Sequence, residues 1–257
     1  MSEKALEYQL GFSEMHREEM YDVERRSGKA RKTLAVIGDY ASTAGIDLAD
    51  LSLLDIGCST GFLSRLYGEQ FGQVTGIDID APAVEFAQKS VTDDHMKFHV
   101  RDSMQSGFPD NSFDAVTCTQ VYEHVPDSRR LMEEIHRVLK PGGFCYFAAG
   151  NRVKFIEAHY RLPLLSVIPK WLAHYYIRAA GKADHYYETH LSLWGLRALV
   201  QRFEIIDYTR SVIADPEKFN ATDLIKPNSI KQKISLAGLS AAYWTCPTYI
   251  WILRKPA

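Results

Sequence analysis

The residues of this chain with the clearest chemistry are an acid and two glycines in the short run DIGCSTG, Asp55, Gly57 and Gly61. Gly57 and Gly61 let the backbone bend sharply and approach a ligand with no Cβ in the way. About twenty residues later the run GIDID supplies Asp78, followed by Ile79. A carboxylate at that point can accept hydrogen bonds from both hydroxyls of a ribose. A glycine turn followed by an acid of this kind reads as a nucleotide seat. The details narrow it: Cys58, Ser59 and Thr60 follow Gly57, and Phe62 follows Gly61, so the GxGxxG pyrophosphate fingerprint is broken, and GxxxxGK[ST] occurs nowhere.

The elements that must position these groups follow from the apolar pattern. Leu51, Leu53, Leu54 and Ile56 form a short buried-strand run that opens into the turn. Helical spacing follows over Phe62 to Phe71, and a second strand over Val74 to Ile77 ends in Asp78. Asp80 and Pro82 read as the N-cap and first turn of the next helix. Met96 to Val100 is a third strand, ending in Arg101, Asp102 and Ser103, and Phe113 to Cys118 a fourth, entered through the turn formers Pro109 to Ser112. Leu131 to Leu139 is an amphipathic helix stopped by Lys140, Pro141, Gly142 and Gly143; Phe144 to Ala148 is a fifth strand. A helix over 191–203, a strand over Phe203 to Tyr208 and a last strand over Tyr249 to Leu253 complete the series. Such alternation calls for a mostly parallel sheet covered on both faces. In such sheets ligands bind at the carboxyl ends of the strands, where Asp55, Gly57, Asp78, Asp102 and Thr119 all fall. Taken singly, Asp78 and Asp102 could be caps and Thr119 an ordinary strand-end polar residue; their coincidence favours a site.

DIGCSTG resembles the first motif of the class I S-adenosylmethionine-dependent methyltransferases, with Ser59 in place of a middle glycine, and VLKPGG before the fifth strand is a habit of the same family. The resemblance implies an α/β fold: a seven-stranded, mostly parallel, doubly wound (Rossmann-like) sheet with a C-terminal antiparallel hairpin and helical inserts forming a lid. It implies S-adenosylmethionine as cofactor and S-adenosylhomocysteine as product. The turn, with Asp55, Gly57, Cys58, Ser59 and Gly61, would wrap the methionine half. Asp78 and Ile79 would hold the ribose, Asp102 and Ser103 the adenine, and Thr119 and Gln120 would border the cofactor at the end of the fourth strand. Helices ahead of the first strand would lie over the cofactor. From the basic run Arg25, Arg26, Lys29, Arg31 and Lys32, Arg31 is the candidate for the methionine carboxylate, against the plain alternative of a solvated helix face.

Methyl transfer from a sulfonium needs acceptor, methyl and sulfur held in line and water kept away, with no covalent residue. A hydroxyl acceptor also needs its proton removed, for which His124 and His190 are the candidates. QVYEHV around His124 resembles an element of the quinone-biosynthesis O-methyltransferases, in which an acid three residues before the glutamate joins Glu123 and His124 around a divalent metal. Here that position is Gln120, and the lost carboxylate argues against a metal. His16, His95, His99 and His136 read as surface or cap residues. The strand-four ending used by nucleic-acid amine methyltransferases is replaced by CTQVYEH, and a net charge of −2 offers nothing to a polyanion. No nucleic-acid partner is expected.

One domain over 1–257 is expected: an N-terminal helical cap (1–48), a cofactor-binding core (49–150), an acceptor-side insert (151–190), and the last strands (191–257) with an insert over 211–246. The four cysteines, Cys58, Cys118, Cys145 and Cys246, form no CxxC pair and read as reduced core thiols. The charged start MSEKALEYQ argues against a secretion signal, and a cytoplasmic location is expected. Ser235 to Leu253 carries no charge, yet Pro247 and its change of texture divide it into a short helix, a turn and a strand rather than a membrane span. The Tyr-, His- and Leu-rich insert over 151–190 would line an aromatic or lipid-like acceptor's pocket, rest peripherally on a membrane, or pack as a plain lid. The expected function is methylation of a small molecule, at a hydroxyl of an aromatic or lipophilic metabolite. The alternatives are a protein or lipid-linked glycan acceptor, and a catalytically silent cofactor-fold module.

Overall fold

The computed structural model describes residues 8, 9, 11–91, 93–157 and 159–257. Residues 1–7, on which the expectation about the chain's start largely rests, lie outside them. In chain order the elements are α1 (Phe12–Met15), α2 (Arg17–Met20), α3 (Val23–Ala44), β1 (Ser52–Ile56), α4 (Phe62–Gly68), β2 (Gln73–Asp78), α5 (Ala81–Ser90), β3 (Met96–Val100), β4 (Phe113–Thr119), α6 (Ser128–Val138), β5 (Leu139–Gly150), α7 (Lys170–Ala179), α8 (Leu193–Leu199), β6 (Glu204–Asp207), α9 (Thr209–Ala214), α10 (Ile230–Ala242) and β7 (Thr248–Arg254). The seven strands form one sheet in the order β3-β2-β1-β4-β5-β7-β6, parallel except for β7, which pairs antiparallel with both β5 and β6.

The sheet is buried on both faces because its central strands alternate between two apolar layers. Leu53 faces a layer with Ile37, Tyr40, Tyr67 and Phe144, while Leu54 and Ile56 face one with Val116, Leu131, Ile135 and Trp251. The order runs outward from β1 through β2 to β3 and, on the other side, from β4, so the direction of winding reverses between β1 and β4. Their carboxyl ends leave a crevice there.

Several boundaries differ from the sequence-based expectation. The helix expected to end at Lys140 ends at Val138, because Leu139 already pairs with Phe113. Lys140 holds the Asp114 carboxylate at 2.8 Å rather than the helix end. The helix expected over 191–203 is only Leu193–Leu199, capped by Ser192, so His190 precedes it. Asp80 occupies the N-cap position of α5 without capping it; its Oδ2 accepts the Ser13 N–H at 2.8 Å instead. The uncharged run Ser235 to Leu253 ends α10 and enters β7, and no helix among the described residues is long and apolar enough to cross a membrane. The four cysteines are buried free thiols.

Gly61 shows what the β1–α4 turn demands. Its φ is +75°, and a Cβ there would stand 2.8 Å from Ala87 Cβ and 3.2 Å from the Phe98 ring. Gly142 has φ +77° with open space around it. Gly142→Ala should therefore cost about 1 kcal/mol for its backbone conformation alone, and Gly61→Ala about 2–4 kcal/mol once the overpacking is added. Equal losses for the two variants in urea denaturation would contradict this reading of the turn.

Candidate functional site

The turn after β1 is clipped to the end of β2. The N–H groups of Gly57 and Cys58 both donate to the Ile77 carbonyl, at 2.9 and 3.1 Å. Gly57 has φ +74°, and a Cβ on it would reach Val121 Cγ2 at 2.6 Å, so only glycine lets the β4 exit come this close. Ser59, where a glycine was expected, keeps the left-handed conformation a glycine would favour, with φ +49°. Its N–H donates to Asp78 Oδ2 at 2.8 Å, and the Asp80 N–H donates to Asp78 Oδ1 at 2.9 Å. Each Asp78 oxygen keeps a further lone pair for a ligand. Burial raises the Asp78 pKa against the pull of these backbone donors.

A cavity of about 1020 Å³ opens over this turn. Of the residues singled out in the sequence, Asp55, Gly57, Ser59, Asp78, Ile79, Asp102, Ser103, Thr119, Gln120 and His124 line it. Cys58 and Gly61 do not. Cys58 packs beneath the turn on Val84, Ala87 and Phe98, and Gly61 sits against Ala87 and Phe98, so both shape the turn from behind. Asp55 lines the cavity but is already bound by Ser64 at 2.5 Å and Thr117 at 2.7 Å, tying α4 and β4 to β1. Asp102 accepts from the Tyr8 hydroxyl at 2.6 Å and the Met104 N–H at 2.8 Å.

The N-terminal segment covers the cavity as expected. Thr60 Oγ1 donates to the Met20 carbonyl at 3.0 Å, and Ser13 is held by Asp80. The buried member of the basic run is Arg26, not Arg31, which is exposed at the rim. Arg26 shares a helix face with Ala30, Thr33 and Ile37, all buried on α3, and that i, i+4, i+7 spacing could have singled it out from the sequence. Burial lowers the Arg26 pKa, opposed by the nearby Asp55 and Asp78 carboxylates. Arg26 Nε, Ser59 Oγ and Thr119 Oγ1 are buried at the cavity wall with no hydrogen-bond partner among the described residues. Buried polar atoms are rarely left so, and these fit a polar ligand that completes them.

The same cavity is also lined by His124, Phe12 and His159, part of a polar cluster of which the sequence singled out only His124 and His190. His124 Nδ1 lies 3.0 Å from Gln9 Oε1, and its ring stands edge-on to those of Phe12 and His159, both at 4.9 Å. His16, expected at the surface, joins this ring cluster 6.2 Å from His159. The insert contributes Glu157, fully buried, whose Oε1 meets His159 Nδ1 at 2.9 Å. His190 is close by but does not line the cavity; its Nε2 accepts from Lys154 Nζ at 2.7 Å. Burial and the Lys154 ammonium hold His190 neutral, and burial together with His159 and His190 drives the His124 pKa well down. A lowered pKa makes each a weaker base.

Glu123 is buried, with neither carboxylate oxygen hydrogen-bonded among the described residues. Among these residues, no three His, Cys, Asp or Glu side chains converge as a metal site. Gln120 offers an amide where the resembled enzymes have a carboxylate, and the buried Glu123 does not line the cavity, so the donor set does not fit the metal of those enzymes.

Residues 54–147 match the family described as "Methyltransferase domain". A curated relative, "Ubiquinone biosynthesis O-methyltransferase" of Xanthomonas oryzae pv. oryzae, is 34% identical over 174 residues, which are 65% of this chain and 67% of that protein. The fold is similar to a crystal structure of an S-adenosylmethionine dependent methyltransferase from Mesorhizobium loti (TM-score 0.54, 18% identity, 81% of this chain and 92% of that one). It is also similar to a Haemonchus contortus phosphoethanolamine N-methyltransferase 2 in complex with phosphomonomethylethanolamine and S-adenosylhomocysteine (TM-score 0.54, 19% identity, 96% of this chain and 60% of that one).

Burial pushes the Glu123 pKa up from 4.5 to about 7. The folded state thus holds this proton more tightly than the unfolded state. The stability this group contributes is complete below its unfolded pKa and is lost as pH rises through about 7. Glu123→Gln should therefore leave thermal stability near wild type at pH 4.5 and raise it at pH 8, by on the order of 3 kcal/mol. Parallel stability–pH curves for the two proteins would contradict the assignment.

Proposed function

The chain belongs to the class I S-adenosylmethionine-dependent methyltransferases, and from that premise we propose that it methylates a hydroxyl of an aromatic or lipophilic small molecule. The observation that carries the reading is the cavity itself. One end offers a nucleoside's partners, Asp78 and Asp102, and the other is walled by rings and aliphatic carbon, with Phe12, Val125, His124 and His159. The similarity to a ubiquinone biosynthesis O-methyltransferase supports an aromatic hydroxyl as acceptor.

When bound, S-adenosylmethionine supplies a methyl group on a positively charged sulfur. Asp78 would take the two ribose hydroxyls on its remaining lone pairs. Arg26 would pair with the methionine carboxylate across the Gly57–Ser59 turn, and Asp102 would accept from the adenine amino group beside the Tyr8 hydroxyl. Phe12 and the N-terminal segment would keep bulk water from the acceptor oxygen.

The insert favours an acceptor with an apolar tail. Phe155, Trp171 and Tyr175 are 70%, 65% and 65% exposed, beside the exposed Ile156 and Leu164. Leu164 N–H donates to the Phe155 carbonyl at 2.7 Å, which holds two of these residues together. Apolar surface of this kind suits contact with the interface of a lipid layer.

Calorimetric titration with S-adenosylhomocysteine should show binding, weakened on the order of 100-fold by Asp78→Ala; unchanged affinity would remove Asp78 from the site. For the acceptor, S-adenosylmethionine is supplied with an alkyl-tailed catechol, an ethanolamine or a lysine peptide, the catechol both free and dissolved in lipid vesicles. A methyl ether should form, faster from vesicles, with Trp171→Ser losing that advantage. A methylated amine as the main product would overturn the hydroxyl reading.

A further inference from the structure

We propose that His159, positioned by Glu157, is the general base that takes the proton from the acceptor hydroxyl. The inference rests on the hydroxyl reading above and adds the residue that makes such an acceptor reactive.

Four histidines stand near the acceptor end; His16 does not line the cavity, and their partners separate the other three. His190 spends its Nε2 lone pair on Lys154 and lies off the cavity wall. His124 lines the cavity, but its Nδ1 faces the amide oxygen of Gln9 at 3.0 Å, with the carboxylate oxygen Glu188 Oε1 at 3.9 Å and so beyond hydrogen-bond reach, in a surround of other histidines. His159 also lines the cavity and has an anionic partner within hydrogen-bond distance. Glu157 is fixed for this task. Its Oε1 faces His159 Nδ1 at 2.9 Å and Lys154 Nζ at 3.4 Å, while its Oε2 accepts the N–H groups of His159 and Tyr160 at 2.8 and 2.9 Å. That arrangement requires the proton of neutral His159 to sit on Nδ1 and leaves a lone pair on Nε2. Among the described residues, Nε2 has no hydrogen-bond partner.

The charges around His159 come from every side. Glu157 and Lys154 lie on its own segment, Glu123 and His124 come from the β4 exit, Glu188 and His190 from the chain before α8, and His16 from the α1–α2 junction. The three carboxylates prevail over burial and raise the His159 pKa. A raised pKa makes a stronger base, one that is active once pH exceeds that pKa.

In the step, the acceptor O–H bond breaks and its proton goes to His159 Nε2. The oxygen's electron pair forms the new O–CH3 bond as the C–S bond breaks and its pair returns to sulfur. The imidazolium, stabilised by Glu157, then releases the proton to solvent. The products are the methyl ether, S-adenosylhomocysteine and one proton.

The test compares catechol with 4-nitrocatechol, whose hydroxyl is already ionised near neutral pH and needs no base. With catechol, His159→Gln should lower kcat roughly 100-fold or more with little change in KM, while S-adenosylhomocysteine affinity, the check on folding, stays at the wild-type value. With 4-nitrocatechol the variant should recover to within about tenfold of wild type, a rescue that a merely structural role would not give. Glu157→Gln should shift the ascending limb of the wild-type pH–kcat profile to lower pH, since its carboxylate raises the His159 pKa. This variant carries the test if His159→Gln loses S-adenosylhomocysteine binding. Wild-type kcat in His159→Gln on catechol, equal losses on both acceptors, or an unmoved pH limb in Glu157→Gln would overturn the proposal and leave the hydroxyl reading standing. A wild-type enzyme that methylates neither catechol would overturn both.

Discussion

The Asp78 carboxylate is the point on which the rest of the site depends. Two backbone N–H groups, from Ser59 and Asp80, converge on its two oxygens, joining the turn after β1 to the end of β2. That junction holds Ser59 in a left-handed conformation unfavourable for a residue with a side chain, and it keeps Gly57 against Val121 at a distance only glycine allows. The same carboxylate that shapes the turn retains lone pairs facing the cavity. This carboxylate is also the group proposed to take the ribose.

Around this point the protein distributes charge by function. At the nucleoside end, Arg26 approaches Asp55 and Asp78 from the covering helix, and burial makes each of these charges costly unless something pairs with it. At the acceptor end, the insert lays Lys154, Glu157 and His159 against Glu123 and His124 from the β4 exit. Thr119 and Gln120 line the same cavity, and Gln120 too holds a positive φ, +55°. Ser59 and Gln120 thus bring left-handed backbone to the cavity wall, and Ser59 Oγ, Thr119 Oγ1 and Arg26 Nε bring to it polar atoms unpartnered among the described residues.

The proposed nucleoside partners Asp78 and Asp102 were legible in the sequence because they follow strands, and strand ends follow from short apolar runs that need no distant information. Asp78 and Asp102 fall at the carboxyl ends of β2 and β3 for that reason. Arg26 was legible in principle through its helical phase with Ala30 and Thr33; proximity within a basic run pointed to Arg31 instead. The acceptor end was not legible. Residues 151–190 have little regular structure outside α7, and their partners lie far along the chain: Glu157 and His159 meet His124, His16 and Phe12 only through the fold. That Cys58 and Gly61 do not line the cavity was not legible, because a motif gives the order of residues but not which of them face the cavity.

A crystal structure of the complex with S-adenosylhomocysteine tests the central claim most directly. The account requires the ribose hydroxyls on the Asp78 carboxylate, the amino-acid carboxylate against Arg26, and the thioether sulfur aimed at the end of the cavity where Phe12, His124 and His159 meet. A ligand bound with its ribose away from Asp78, or with its sulfur aimed away from those rings, would contradict it.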